Sequence, residues 1–284
     1  MLKVYIKLAF KYLRRQKART FSMILGVSLA IMLVFGFDII TESSNKKQLN
    51  IINQMYGSYD GIYSNLAKNE TEKIENDKYI KKSGSVAVLG KVISDDGTFM
   101  KLNSSDKDYI EMLGFNLKKG RLPIKDGEIV LESKALEHMK LDEKLNQDIK
   151  LKIKKEYKDE LGVNQIFIET KNFKLVGVTD KSDYHYTNDW YEFKAFTFFK
   201  EGETKILPEN LMTYESIVKL KSKGNTYKKL MDLAKRSGVN GRDITQNEIL
   251  IMAKSEYLSS KDNNSKNPII ATSIILIYNM FNMS

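Results

Sequence analysis

The sequence predicts an α+β fold: a mixed α/β domain held outside the membrane, anchored by one N-terminal transmembrane helix, with the start of a second at the C-terminus. Three observations predict it. Residues 20–37 (TFSMILGVSLAIMLVFGF) form an 18-residue stretch without a charge between Arg19 and Asp38. At helical rise that is about 27 Å, close to the hydrocarbon thickness of a bilayer. The residues before it hold Lys3, Lys7, Lys11, Arg14, Arg15, Lys17 and Arg19 and no acid. Residues 41–266 alternate short strand and helix signals separated by turn residues.

Residues 1–19 are read as a cytoplasmic basic helix. Lys3, Lys7, Lys11 and Arg14 recur at three- and four-residue spacing and share one helical face, with Tyr5, Ala9, Tyr12 and Leu13 on the other. Such a helix suits the surface of the inner leaflet; the bland reading is that the charges only set topology. Residues 20–40 are the first transmembrane helix, Ile39 and Ile40 extending it past Asp38. A buried helix of a soluble protein is the rival. Short basic flanks stay inside, so the chain beyond residue 40 is expected outside. No small-x-small cleavage site follows Phe37, which favours an uncleaved anchor over a signal peptide.

The expected extracytoplasmic domain is 41–266. The helix continues to about Met55, and YGSYDGIYS turns into a short strand. Thr71 is expected to cap a helix, TEKIENDKYI. Ser85–Ile93 reads as a strand and Asp95-Asp96-Gly97 as a turn. Asp106 opens a short helix that Gly114 ends. Gly120 is placed for a positive φ, Pro123 stiffens the chain, and Asp126-Gly127 turns into the strand EIVL. Ser133 is expected to cap SKALEHMKL. Strands follow at 148–154, 163–169 and 173–178; in DIKLKIK the apolar residues face one way and the charges the other. After the loop SDYHYTNDWYEF, strands are expected at 193–199 and 215–221. A helix capped by Asn225 or Thr226 follows, closed by Gly238. Residues 246–257 are apolar but of undecided type, and 259–267 read as a polar linker. Residues 267–284 are expected to begin a second transmembrane helix, cut off before its cytoplasmic end; a soluble core helix is the rival.

The chain carries 46 Lys and Arg against 36 Asp and Glu, a net charge of +10. Seven of the cations precede the membrane helix and the others are interleaved with acids, so this is not a nucleic-acid footprint. There is no cysteine, which excludes disulfides, thiolate nucleophiles and cysteine zinc sites. There is no GxxxxGK[ST], GxSxG, HExxH or DxDxDG. Of the two histidines, His138 reads as a surface residue beside Lys and Glu. His185 lies near Asp183, Asp189 and Trp190, where a metal or ligand loop is conceivable but a plain exposed loop is favoured. Asp95 and Asp96 are turn residues. No catalytic, cofactor-binding or metal-binding residue is assigned, and no enzyme is expected.

LAFKYLRRQKARTFSMILGVSLAIML resembles the basic entry and first helix of ABC-transporter permeases of the FtsX/MacB type. GRLP followed by EIVLE (120–132) resembles the glycine-arginine-proline turn and strand of that family's extracytoplasmic core domain. FKLVGV (173–178) resembles its later strand, and IILIYNMFNMS the start of its second helix. The resemblance spans nearly the whole chain. It implies a bacterial cell-membrane protein with the N-terminus in the cytoplasm and an outer domain of two mixed α/β subdomains. It also implies a separate cytoplasmic ATPase that binds ATP, so no cofactor in this chain. A second permease copy or complementary half and membrane lipid are the other partners. The function implied is the N-terminal portion of a permease subunit, coupling the ATPase to movement of an outer domain that handles peptides, lipoproteins or similar cargo. The alternative is a membrane-anchored sensor or interaction protein without transport activity.

Overall fold

A computed structural model describes residues 2–94, 97–158, 161–180, 192–198, 211–221 and 225–255. One compact unit holds Met1–Leu49 and another is Asn50–Ala253.

Helix α1 (Leu2–Arg15) ends in Arg14 and Arg15, cations suited to its negative dipole end. A break at Gln16 separates it from α2 (Lys17–Tyr56), a continuous helix of 40 residues, about 60 Å long at 1.5 Å per residue. It is the one helix among the described residues long and apolar enough to cross a membrane, and its apolar window is entirely unburied. Most of its large apolar side chains from Phe21 to Ile40 are exposed, between 46% and 70%, with Met23, Val27 and Val34 half-buried. Such an all-round apolar surface is stable in lipid rather than in water. Beyond it the helix turns polar, with Lys46 and Glu42 paired at 2.7 Å.

The second unit is built on one ten-stranded sheet. Its elements are β1 (Gly61–Leu66), α3 (Lys68–Glu75), β2 (Ile80–Ser94), β3 (Gly97–Ser105), α4 (Lys107–Met112), β4 (Asn116–Gly120), β5 (Glu128–Glu132), α5 (Ser133–His138), β6 (Asp148–Lys158), β7 (Asn164–Asp180), β8 (Phe193–Phe198), β9 (Thr213–Leu220), α6 (Thr226–Ser237) and β10 (Ile244–Gln246). A helical run over 248–255 follows. The order is β10-β1-β9-β2-β3-β8-β5-β7-β4, and β6 bridges β7 back to β2. Strands β2, β3, β8, β5, β7 and β6 therefore close into a ring whose shortest ladders are β5–β8, with three pairs, and β2–β6, which pair at Lys91↔Lys154 and Val92↔Ile153. All six strands and α5 supply the main core, including Leu89, Met100, Leu102, Ile129, Leu131, Ile153, Phe173 and Leu175.

The first half of β2 instead belongs to a wing with β9, β1 and β10. One face carries α3 and α6 over Tyr63, Leu66, Ile74, Leu230 and Leu233. The other carries α4 over Val86, Tyr109, Phe196 and Ile217. Capping follows local chemistry. Asp106 accepts from the Tyr109 N–H, Asn225 accepts from the Lys228 N–H at 2.9 Å, and Gly238 closes α6 at φ 83°.

Several expectations are corrected. Thr71 lies inside α3 and its hydroxyl donates to Ala67 O; the start is held instead by Glu70, whose carboxylate accepts from the Ala67 N–H at 2.8 Å. The segment 76–80 leaves the helix and enters β2, which begins before Ser85. Strand β3, unforeseen, pairs with β2 along its length. Ser133 makes no cap; its hydroxyl meets Glu143. The strands expected at 163–169 and 173–178 are one strand, β7, because the polar residues between them pair continuously with β6. Of the apolar stretch expected at 246–257, residues 246–255 resolve into the end of β10 and the helical run, and 256–257 lie outside the described residues. Asp95, Asp96, the loop with Asp183, His185, Asp189 and Trp190, the linker 259–267 and the expected second span lie outside the described residues.

Candidate functional site

Two buried charged sites distinguish the domain. The first is the GRLP turn. Gly120 sits at φ 75°, and a Cβ there would lie 2.1 Å from the Val176 carbonyl oxygen. Only glycine lets β4 end this close to β7. The Arg121 N–H donates to Val176 O at 3.0 Å. Its guanidinium then turns onto Glu128 at the start of β5, donating to both carboxylate oxygens at 2.7 and 2.5 Å and to Leu122 O at 3.1 Å. The Ile124 N–H completes the shell at 3.0 Å. The Glu128 side chain is 3% exposed. The Arg121 hydrogen bonds, with the Ile124 N–H, hold its carboxyl down to about 2 against the opposing effect of burial. With both oxygens of the buried Glu128 carboxylate engaged by Arg121 and the Ile124 N–H, the turn is a clasp.

The second site lies where β2 passes from the wing to the ring. Val88 still pairs with Thr213 of β9, whereas Lys91 pairs with Lys154 of β6. Between them the register slips at Gly90, whose φ is 138°. A Cβ at Gly90 would lie 2.5 Å from Lys154 O, so the bulge needs glycine to let β6 approach. A cavity of about 300 Å³ opens there, lined by Val88, Gly90, Lys91, Lys101, Lys154, Lys155 and Glu156.

Four lysines on one cavity repel one another, and three have carboxylate partners. Lys91 meets Glu192 at 2.7 Å, Lys154 meets Glu156 at 2.6 Å, and Lys101 meets Glu215 at 2.5 Å. The Tyr109 hydroxyl donates to the second Glu215 oxygen at 2.9 Å. Burial and Glu215 together push that phenol well up. Lys155 differs. It is 9% exposed and donates to two neutral acceptors, Val88 O and Thr213 Oγ1, both at 3.0 Å. Burial, then repulsion from Lys101, lowers its pKa, with Glu215 opposing. Burial and Lys101 also lower Lys194, next to Lys101 in the parallel β3–β8 ladder.

This site was missed in the sequence, although it leaves a trace there. In DIKLKIKKEY the alternation puts Ile149, Leu151 and Ile153 on the core side, and the next core-side position is Lys155. A lysine where period two demands an apolar residue is the available signal. His138 sits exposed at the end of α5, its ring 5.7 Å from that of Phe193. Among the described residues no group of three or more His, Cys, Asp or Glu side chains is placed to hold a metal ion. Cations on a semi-enclosed wall can hold and orient an oxyanion.

No protein-family model matches the chain, and no curated protein sequence matches it. The chain is similar to the extracellular domain of the noncanonic ABC-type transporter YknZ from Gram-positive bacteria, with 11% identity and a TM-score of 0.40 over 66% of this chain and 98% of that one. It is also similar to a domain assigned to a permease protein from Porphyromonas gingivalis, with 13% identity and a TM-score of 0.38 over 64% of this chain and 84% of that one.

Proposed function

We propose that this chain is the amino-terminal part of a permease subunit of an ABC transporter of the FtsX/MacB type. The observation that carries the reading is the order of its parts. A basic helix precedes an unburied apolar helix, which runs on as one rod before a mixed α/β domain containing the GRLP clasp. By the excess of positive charge the N-terminus lies in the cytoplasm and the domain outside. At about 60 Å, α2 is twice the hydrocarbon thickness, so a continuous helix can pass a displacement from one side of the bilayer toward the other. ATP is bound by a separate cytoplasmic ATPase, and a second permease copy or a complementary half completes the membrane part. The outer domain handles peptides, lipoproteins or similar cargo and is not an enzyme.

Purification from native membranes in mild detergent should recover an ATPase and a second permease piece; persistent recovery as a lone monomer would overturn the reading. The chain has no cysteine, so single cysteines report topology. An impermeant thiol reagent on intact cells should label Ser44→Cys and Ser182→Cys but not Ser284→Cys.

The lysine-lined cavity favours a second reading, a membrane-anchored sensor whose outer domain binds a ligand without an ATPase. Labelling of all three cysteines, with ligand binding by the lone chain, would place this reading first.

A further inference from the structure

The charge balance at the β2 bulge is incomplete in one specific way. Four lysines line the cavity, and Glu156, Glu192 and Glu215 pair with three of them. Lys194, which interacts electrostatically with Lys101, Glu192 and Glu215 of this group, is matched by Glu132, so the two add one charge of each sign. Among the described residues one cation is left over, and the geometry identifies it as Lys155. Its ammonium has three N–H donors, and among the described residues two of them are taken by Val88 O and Thr213 Oγ1. The third is available to whatever occupies the cavity. A second polar group nearby has no partner. Asn103, 1% exposed, lies two residues along β3 from Lys101 and is the Cα partner of Val88. Neither its Oδ1 nor its Nδ2 has a hydrogen-bond partner among the described residues. A buried amide with neither bond made is rare in a finished site.

We propose that this cavity is an anion site, taking a small ligand that bears a single negative charge on an oxyanion, a carboxylate or a phosphodiester, seated against the Lys155 ammonium. The excess of one cation sets the ligand charge at one. The volume of about 300 Å³ is at the lower end for small-molecule sites and fits a headgroup-sized molecule rather than a polymer. Lys91 and Lys154, half to one third exposed, mark the open side, and Lys155 the closed one. The charge of a bound anion offsets the burial that disfavours the Lys155 ammonium, so binding and protonation of Lys155 reinforce each other. The groups that face it are Lys101 from β3, Glu215 and Thr213 from β9, and Lys91 from β2. Raising the pH toward the lowered Lys155 pKa therefore weakens binding. The inference stands whether or not the chain works with an ATPase.

The test is calorimetry on the full chain in a non-ionic detergent at low salt, with N-acetylglycine as the carboxylate probe and dimethyl phosphate as the phosphodiester probe. At least one is expected to bind with one-to-one stoichiometry, and the stronger of the two identifies the ligand class. Lys155→Met should weaken that probe by about tenfold or more, the scale of a charge-assisted hydrogen bond, without lowering the unfolding midpoint. If Lys155→Met does not fold, Lys91→Met at the open side decides, with about a threefold loss expected from one less exposed cation. Silence of both probes up to about 10 mM, or unchanged affinity in the deciding variant, would overturn the proposal. So would tighter binding of a phosphate dianion than of either monoanion.

Discussion

The clasp at Gly120–Glu128 and the cavity at Gly90–Lys155 are both places where a glycine lets two strands come close and charge is buried beside them. They resolve that charge in opposite ways. In the clasp one guanidinium meets one carboxylate in a two-point fork, and a backbone N–H takes up a remaining lone pair. In the cavity, among the described residues, cations outnumber carboxylates, and Lys155 rests on a carbonyl and a hydroxyl. Burying an ion is tolerable when its partner and hydrogen bonds come with it. The clasp therefore closes a fold, while the cavity, among the described residues, keeps one cation more than its carboxylates match.

Breaking the glycine of the clasp should have the largest effect. Gly120→Val forces a side chain against Val176 O at a positive φ and is expected to cost about 4 kcal/mol or to abolish cooperative thermal unfolding by circular dichroism. Next comes the carboxylate that pairs with Lys101. Glu215→Gln leaves Lys101 unpaired beside Lys155 and should cost about 3 kcal/mol in denaturant unfolding, and a loss below about 0.5 kcal/mol would show that Lys101 escapes to water. Glu128→Gln loosens the clasp and should cost about 2 kcal/mol. It should also flatten the acid limb of stability. The folded Glu128 carboxyl titrates at about 2 instead of its ordinary 4.5, so between those values the unfolded chain binds the proton and stability falls as pH falls. Wild type and Glu128→Gln should therefore converge toward pH 2, and parallel acid curves would refute the clasp.

Lys155→Met should have the smallest effect, and the opposite sign. Removing a buried cation short of an anion is expected to change stability by less than about 1 kcal/mol, toward a more stable protein. Because the Lys155 pKa is lowered in the folded state, the unfolded chain binds more protons between that value and 10.5, and stability rises with pH there. Tyr63 and Tyr109, both raised, work the other way above pH 10. The wild-type minus Lys155→Met difference isolates the lysine: the gap should narrow as pH rises.

Much of this fold was written locally. The uncharged run 20–37 and its basic flank determined α2, Asp106 and Asn225 determined helix starts, and Gly238 a helix end. Period two determined which side of β6 is buried. Each of these depends on neighbours within about one turn or two strand residues, so composition and spacing suffice. Tertiary structure decided the rest. The polar residues Glu169–Asn172 look like a break between two strands until β6 pairs across them. Thr71 looks like a cap until Glu70 takes the role. The ring depends on a two-residue ladder between β2 and β6, and the cavity on Lys101 meeting Glu215, 114 residues away. Charge pairing and strand closure over such separations have no local period, because they depend on where the chain returns. The sequence by itself determined what each segment tends to be; only the closed ring decided which lysine, among the described residues, rests on a carbonyl and a hydroxyl instead of a carboxylate.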